Sequence, residues 1–227
     1  MPTQLLINEI FHSIQGESTR AGLPCIFVRL RGCHLRCNWC DTAYAFNEGG
    51  GMDVADILQQ VLAIPTPLVE ITGGEPLLQQ GVHELMAALC DAGRTVLIET
   101  SGACDISLCD LRVIRIVDFK PPGSGECDRN DLNNINRLRR HDEVKFVIGD
   151  RADYDWSVQF VERYTLSAAV TAILFAPVFA TPPSEQIAGH AGLDPSLLAA
   201  WMLEDGVDAR LQMPMHKAIW APSVRGV

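Results

Sequence analysis

The stretch GCHLRCNWCDT at residues 32–42 sets Cys33, Cys37 and Cys40 at a C-x₃-C-x₂-C spacing on a loop. It directly follows the apolar run CIFVRL at residues 25–30, which reads as a strand. Three thiolates this close in sequence surround one inorganic centre at little loop-closure cost. A structural zinc site normally takes four ligands, and ordinary four-iron clusters take four cysteines. Three cysteines leave one iron with an open position for a small molecule. A zinc knuckle or a set of buried thiols is the competing reading. His34 is an awkward fourth ligand because it adjoins Cys33, and Cys90, Cys104, Cys109 and Cys127 are scattered.

Outward from this loop, short β-rich runs alternate with segments of helical period. Strands are expected at residues 25–30, 68–72, 95–100, 113–119, 144–148 and 171–175, each with an apolar run too continuous for a one-sided sheet. Helices are expected at 53–63, 82–92, 131–140, 153–164 and 195–203 from their apolar spacing and flanking caps. Repeated strand and helix imply a parallel sheet with right-handed crossovers. A closed eight-stranded barrel takes about 250 residues, so the 227 residues fit an open, partial (β/α)₆ barrel better. The short segment between Ser101 and Val113 predicts that its helical side is trimmed. One unit is expected over 1–227: an N-terminal hairpin extension (1–24), a core (25–180), and a C-terminal helix and tail (181–227).

Hydrophobic residues make up 48% of the chain and charged ones 20%, which suits a globular protein with a sizeable core. The net charge of -10 argues against non-specific binding to nucleic acid or anionic lipid. No apolar run is long enough to span a bilayer. The first residues lack the basic start and apolar core of a signal peptide. Eight cysteines, three of them tightly spaced, point to a reducing compartment, with the cytoplasm as the expectation.

Polar and glycine-rich residues recur where the strands end, as one pocket in a parallel βα fold requires. They are Thr72-Gly73-Gly74-Glu75, Glu99-Thr100-Ser101, Asp118-Phe119-Lys120 and Phe175-Ala176-Pro177. Gly73 and Gly74 remove side chains where backbone can approach a ligand, although a plain turn would use the same residues. Glu99 and Ser101 suit a ribose diol, or else a local turn. Lys120 suits a carboxylate, or else a solvated surface.

The cysteine spacing, with Trp39 before its last cysteine and Asp41 after it, resembles the signature of radical S-adenosylmethionine (SAM) enzymes. The resemblance implies a 4Fe-4S cluster on Cys33, Cys37 and Cys40, with SAM chelating the open iron and cleaving to a 5′-deoxyadenosyl radical. It also implies the open barrel and places Trp39, Asp41, Gly74, Glu75, Glu99 and Ser101 beside SAM.

Two further segments narrow the resemblance. The N-terminal EIFHSIQGE at Glu9 to Glu17 reads as a polar-ended hairpin, and the C-terminal HKAIW…RGV carries many functional side chains for a tail. With Phe27, Arg29 and Gly32 before the cluster, they resemble the 7-carboxy-7-deazaguanine synthase family over nearly the whole chain. That family converts 6-carboxy-5,6,7,8-tetrahydropterin to 7-carboxy-7-deazaguanine with loss of ammonia, for queuosine and other 7-deazapurines. The resemblance implies SAM used catalytically, Mg²⁺ on Thr42, an external electron donor such as flavodoxin, and a homodimer. Ile14, Gln15, Gly16, Glu17, Arg29, Thr72, His216 and Val227 are then expected at the pterin, with Arg29 on its carboxylate. Asp118, Phe119, Lys120 and Phe175, Ala176, Pro177 and Val178 are expected along the SAM edge. The chain departs from the pattern at Asp118-Phe119-Lys120, where relatives often carry Ser-Pro-Lys, and at Ser101, where Asn is more frequent. A glycyl-radical-enzyme activase shares the cysteine spacing but has no use for the two ends. An iron–sulfur electron-transfer module would leave most of the barrel unexplained.

Overall fold

Strand direction in this chain follows from where its apolar runs are interrupted. A computed structural model describes residues 2–220 and 224–226. Six parallel strands form the barrel wall: β2 (Pro24–Leu30), β4 (Leu68–Gly73), β5 (Thr95–Thr100), β6 (Ile114–Asp118), β7 (Glu143–Ile148) and β8 (Ala172–Pro177). The sheet extends beyond them at both ends, in the order β3-β1-β2-β4-β5-β6-β7-β8-β9, and does not close. Here β1 is Gln4–Ile14, β3 is Gly50–Asp53 and β9 is Arg210–Leu211.

The expected hairpin at Glu9–Glu17 is instead the second half of β1 and its turn. Strand β1 pairs antiparallel with β2, Phe11 opposite Phe27, so the first barrel strand is itself the other arm. The alternating apolar residues of β1 need a sheet neighbour to cover them, and β3 covers its other edge.

Helices α1 (Val54–Leu62), α2 (Val82–Asp91) and α3 (Arg151–Arg163) pack the outer face. Ile57, Val61, Leu85, Leu89 and Phe160 meet the outward residues Ile26, Val28, Val69, Ile71, Val96, Ile98 and Val117 there. The opposite strand face changes character along its length. Its first layer is apolar: Cys25, Phe27, Leu68, Leu97, Ile114 and Ile116 form a separate buried plug with Phe11. Two residues further along the strands the same face carries Arg29, Glu70, Glu99 and Asp118, which line a cavity. The period-2 alternation of strands therefore stacks a charged layer on an apolar floor.

The helix expected at 131–140 is a short 3₁₀ segment, Leu132–Arg137. Asp131 accepts from the backbone nitrogen and side-chain amide of Asn133, local bonds that compete with helix formation. What replaces a helix on this side is polar. Asn134 accepts from the Ile106 nitrogen and donates to the carbonyls of Gly102 and Cys104. Arg115, fully buried on β6, donates through Nε to Asp142 (3.1 Å), through Nη1 to Ile106 O (3.0 Å) and through Nη2 to Arg137 O (2.6 Å). After these loops come α4 (Leu166–Ala169), α5 (Pro195–Asp205) and α6 (His216–Ile219).

Asp142 is as buried as its arginine, so removing the carboxylate strands a charge without solvent. Asp142→Ala is expected to lower unfolding free energy by about 3–5 kcal/mol, read by urea denaturation.

Candidate active site

The cysteine loop leaves β2 at Gly32, whose φ of +98° turns the chain across the barrel mouth. It is held there by the glycines after β4. Gly73 has φ +143°, and a Cβ on it would stand 2.7 Å from the Leu30 nitrogen. A Cβ on Gly74 would stand 2.6 Å from Cys33 Cβ and closer still to the Gly32 carbonyl oxygen. The Glu75 nitrogen donates to that same carbonyl at 2.9 Å. These glycines thus make room for the first turn of the cysteine loop, a nearer demand than the ligand approach expected of them.

Glu75 is a correction of a similar kind. It is fully buried and outside the cavity lining. Its carboxylate accepts from the nitrogens of Leu77 (3.0 Å) and Ser101 (2.7 Å) and from the hydroxyls of Thr100 and Ser101. A carboxylate satisfied this fully ties the ends of β4 and β5 together and has no lone pair directed to SAM. Ser101 lines the cavity, but its hydroxyl proton is committed to Glu75.

Cys33, Cys37 and Cys40 all line one cavity, with Trp39 buried between them and edge-on to His190 at 5.5 Å. Burial pushes all three thiols up, Cys40 to about 12, and the Lys120 ammonium draws each back toward thiolate. Loading a metal centre here must therefore release protons. Lys120 is itself paired with Asp118 at 2.8 Å.

Deeper in the barrel, Lys145 lies in a nest of carboxylates. Its Nζ bonds Glu17 (2.8 Å) and Glu99 and lies 3.7 Å from Asp118. Burial would strip its charge, but these neighbours hold its pKa well above the usual lysine range. Glu17 is pulled down by the same ammonium against the opposite pull of burial. Gln15 donates to Glu70 (2.5 Å) and accepts from the Glu17 nitrogen (3.1 Å). Arg29 stands across the cavity, its Nε donating to Glu9 (2.8 Å), which also accepts from the Tyr44 hydroxyl (3.0 Å). Glu70 and Lys145 were not expected from sequence. Their signal was available: each is the single charge in the apolar run read as its strand, LVEIT at 68–72 and VKFVI at 144–148.

The C-terminal segment closes the mouth. The Met215 nitrogen donates to Gly16 O at 2.9 Å, and a Cβ on Gly16 would reach into the His216 ring, 3.0 Å from its Cγ. Gln212 accepts from the Ser18 nitrogen (2.8 Å) and donates to Glu17 (3.0 Å). Lys217 pairs with Asp41 in the cysteine loop. Arg225 pairs with Glu48 at 2.8 Å and lies 3.8 Å above the Tyr44 ring. Burial lowers the His216 pKa, which favours the neutral ring.

Most expected site residues meet in this one cavity. Ile14, Gln15, Gly16, Glu17, Arg29, Thr72 and His216 line it with Trp39, Asp41, Thr42, Gly74, Glu99, Ser101, Asp118, Lys120 and Ala176, Pro177 and Val178. The side chains of Phe119 and Phe175 do not. Both are fully buried in the outer core, Phe119 5.0 Å from Phe160 and Phe175 5.7 Å from Phe146. Strand alternation sends them outward while Asp118, Lys120 and Ala176 face in. Val227 lies outside the described residues.

An open parallel barrel with a three-cysteine loop at the carboxyl ends of its strands defines the radical SAM class, and the Radical SAM superfamily model matches residues 27–116. The chain is 45% identical over 224 residues to the 7-carboxy-7-deazaguanine synthase of Koribacter versatilis, covering 97% of this chain and 99% of the relative. It is 44% identical to that of Chlorobaculum tepidum, covering 98% and 97%. The crystal structure of QueE from Escherichia coli shares the fold at a TM-score of 0.69 and 24% identity, over 94% of this chain and 95% of that one. The chain belongs to the 7-carboxy-7-deazaguanine synthase family, and it is a radical SAM enzyme.

The residues present fit the cofactors of that class, a 4Fe-4S cluster and SAM. The three thiols line one cavity, with Cys33 and Cys37, and Cys37 and Cys40, close enough to act on each other's charge. Thiolates are the ligands that iron–sulfur clusters take. Beside them, Asp118 Oδ1 is buried without a hydrogen-bond partner, an acceptor that a ligand N–H or O–H would satisfy. Reconstituted protein is expected to carry about four irons per chain. Cys33→Ala should lose them while Cys90→Ala, on α2, retains them in an iron and sulfide assay.

Proposed function

We propose that this cavity converts 6-carboxy-5,6,7,8-tetrahydropterin to 7-carboxy-7-deazaguanine with loss of ammonia, feeding queuosine and other 7-deazapurines. The observation that carries this reading is the contact of Gly16 with His216 across one cavity that also contains the three cysteines. Two segments some 200 residues apart in sequence enclose one small-molecule pocket. A glycyl-radical activase must instead admit a partner protein's backbone, and it has no use for a C-terminal segment laid against Gly16 at the mouth.

The cluster and SAM, when bound, supply one-electron reduction and abstraction of a substrate hydrogen. The protein's part is to bind, orient and exclude water. Arg29 takes the pterin carboxylate through its terminal nitrogens, which make no hydrogen bond among the described residues while Glu9 fixes Nε. The guanidinium is poised over Phe11 and Tyr44, 5.6 and 5.8 Å from their ring centroids, which limits its freedom before substrate arrives. Gln15, Glu17 and Thr72 offer hydrogen-bond partners for the ring nitrogens and exocyclic groups, and His216 covers the ring. Asp118 and Lys120, with the backbone of 176–178, receive the SAM end. Thr42 donates its proton to Asp41 at 2.9 Å, which leaves its oxygen lone pairs for Mg²⁺, a cation that selects oxygen. Eight unpaired cysteines suit a cytoplasmic enzyme. The same reading takes the whole chain as one catalytic unit, acting as a homodimer and reduced by an external donor such as flavodoxin.

The test is an anaerobic assay with reductant, SAM, Mg²⁺ and the carboxytetrahydropterin. The 7-deazapurine ultraviolet spectrum should appear without stoichiometric 5′-deoxyadenosine; SAM cleavage without any 7-deazapurine would remove the reading. Gly16→Ala forces a methyl against the His216 ring. It should raise the pterin KM about tenfold or more, the effect of about 1.4 kcal/mol of overpacking, while iron content stays unchanged.

A further inference from the structure

Loss of ammonia from a ring requires a proton for the departing nitrogen, and few groups in this cavity are placed to hold one. The inward carboxyl groups Glu17, Glu70 and Glu99 lie around one ammonium, that of Lys145. Lys145 bonds Glu17 and Glu99 and makes no bond to Glu70. Glu70 is therefore the carboxyl left without a cation, 4% exposed on β4 and directly above the apolar floor. Its Oε2 accepts from the Gln15 amide, and the amide's orientation is fixed because Gln15 Oε1 already accepts from the Glu17 nitrogen. Its Oε1 has no hydrogen-bond partner among the described residues and is not a buried orphan atom, so it faces the cavity. A carboxyl so placed can carry its proton on Oε1, directed at the ligand, while Oε2 accepts the amide N–H.

We propose that Glu70 is the acid that protonates the departing nitrogen through Oε1. This rests on the reaction proposed above. Once the six-membered ring has contracted to five, the departing nitrogen is an amino group held by a single C–N bond. That bond breaks with its electron pair going to nitrogen, Glu70 gives the nitrogen a proton, and ammonia leaves. The neighbouring ring C–H gives its proton to the Glu70 carboxylate as its electron pair forms the C=C bond of the aromatic five-membered ring. No oxidant or reductant is consumed in this step. The titratable groups facing Glu70 are Glu99 on β5, Glu17 on the loop after β1, Lys145 on β7 and the Cys25 thiol on β2. Burial first, then the Glu99 charge, raises the Glu70 pKa to about 8. The acid form is then the major one at neutral pH, the condition for a general acid.

Glu70→Gln keeps the shape and the acceptor for Gln15 but has no proton to give. It is expected to load iron and SAM as the wild type does and to keep pterin KM within about threefold, while kcat falls at least about 100-fold. In the wild type, kcat should be level below pH 8 and fall tenfold per pH unit above it, because the required form is the protonated one. A variant kcat within threefold of wild type, or a loss confined to KM, overturns the assignment. Where the variant fails to fold, the wild-type profile decides: kcat undiminished at pH 9.5 overturns it, and the fall above pH 8 upholds it. A wild-type enzyme that makes no 7-deazapurine at all would instead refute the reaction and not the role of Glu70 alone.

Discussion

The site depends on one close backbone contact, between the turn at Gly73-Gly74 and the start of the cysteine loop at Gly32-Cys33. Parallel pairing of β2 with β4 puts Leu30 beside Gly73. From there the Glu75 nitrogen binds the Gly32 carbonyl, at a separation with no room for a Cβ on residue 74. Glu75 then fastens this turn to Thr100 and Ser101 at the end of β5. The two halves of the cavity, cysteines on one side and strand ends on the other, are held at one spacing by these bonds. A site of this kind needs positions fixed to a fraction of an ångström, and buried, fully satisfied hydrogen bonds are a rigid way to obtain it.

Below that contact the barrel interior is layered by charge. An apolar plug seals the amino ends of the strands, and a carboxylate-rich layer around Lys145 lies above it. Such a layer is costly to bury and is stable only where each charge is paired or neutralised. Lys145 supports Glu17 and Glu99, Arg29 pairs with Glu9, and Lys120 pairs with Asp118. The chain as a whole carries a net charge of -10, so the cations are concentrated where the barrel buries its carboxylates. The C-terminal segment adds Lys217 and Arg225 at the rim.

The barrel strands were legible because each is an apolar run ended by glycine or a polar cluster, and their bounds differ from the expected ones by a residue or two. The cysteine triplet and the strand-end residues likewise met in one cavity. What was not legible depended on direction. Phe119 and Phe175 sit at the right depth but alternate outward into the core. Glu75 has the right chemistry but is consumed by Thr100, Ser101 and Leu77. The 131–140 segment has a helical apolar spacing, yet Asp131 and its asparagines bond locally and shorten it. Glu70 and Lys145 were hidden inside runs read only as strands; a charge there marks a polar environment, and only register separates Glu70 and Lys145, which line the cavity, from Arg115, which pairs with Asp142 away from it.

If the Gly32–Gly74 contact sets the spacing of the site, a single methyl at residue 74 should separate folding from cofactor binding. The direct measurement is the iron content of reconstituted Gly74→Ala, with circular dichroism on the same sample. The account predicts a native spectrum with well under the wild-type iron and no reductive SAM cleavage. Full iron loading and normal SAM cleavage by Gly74→Ala would contradict it.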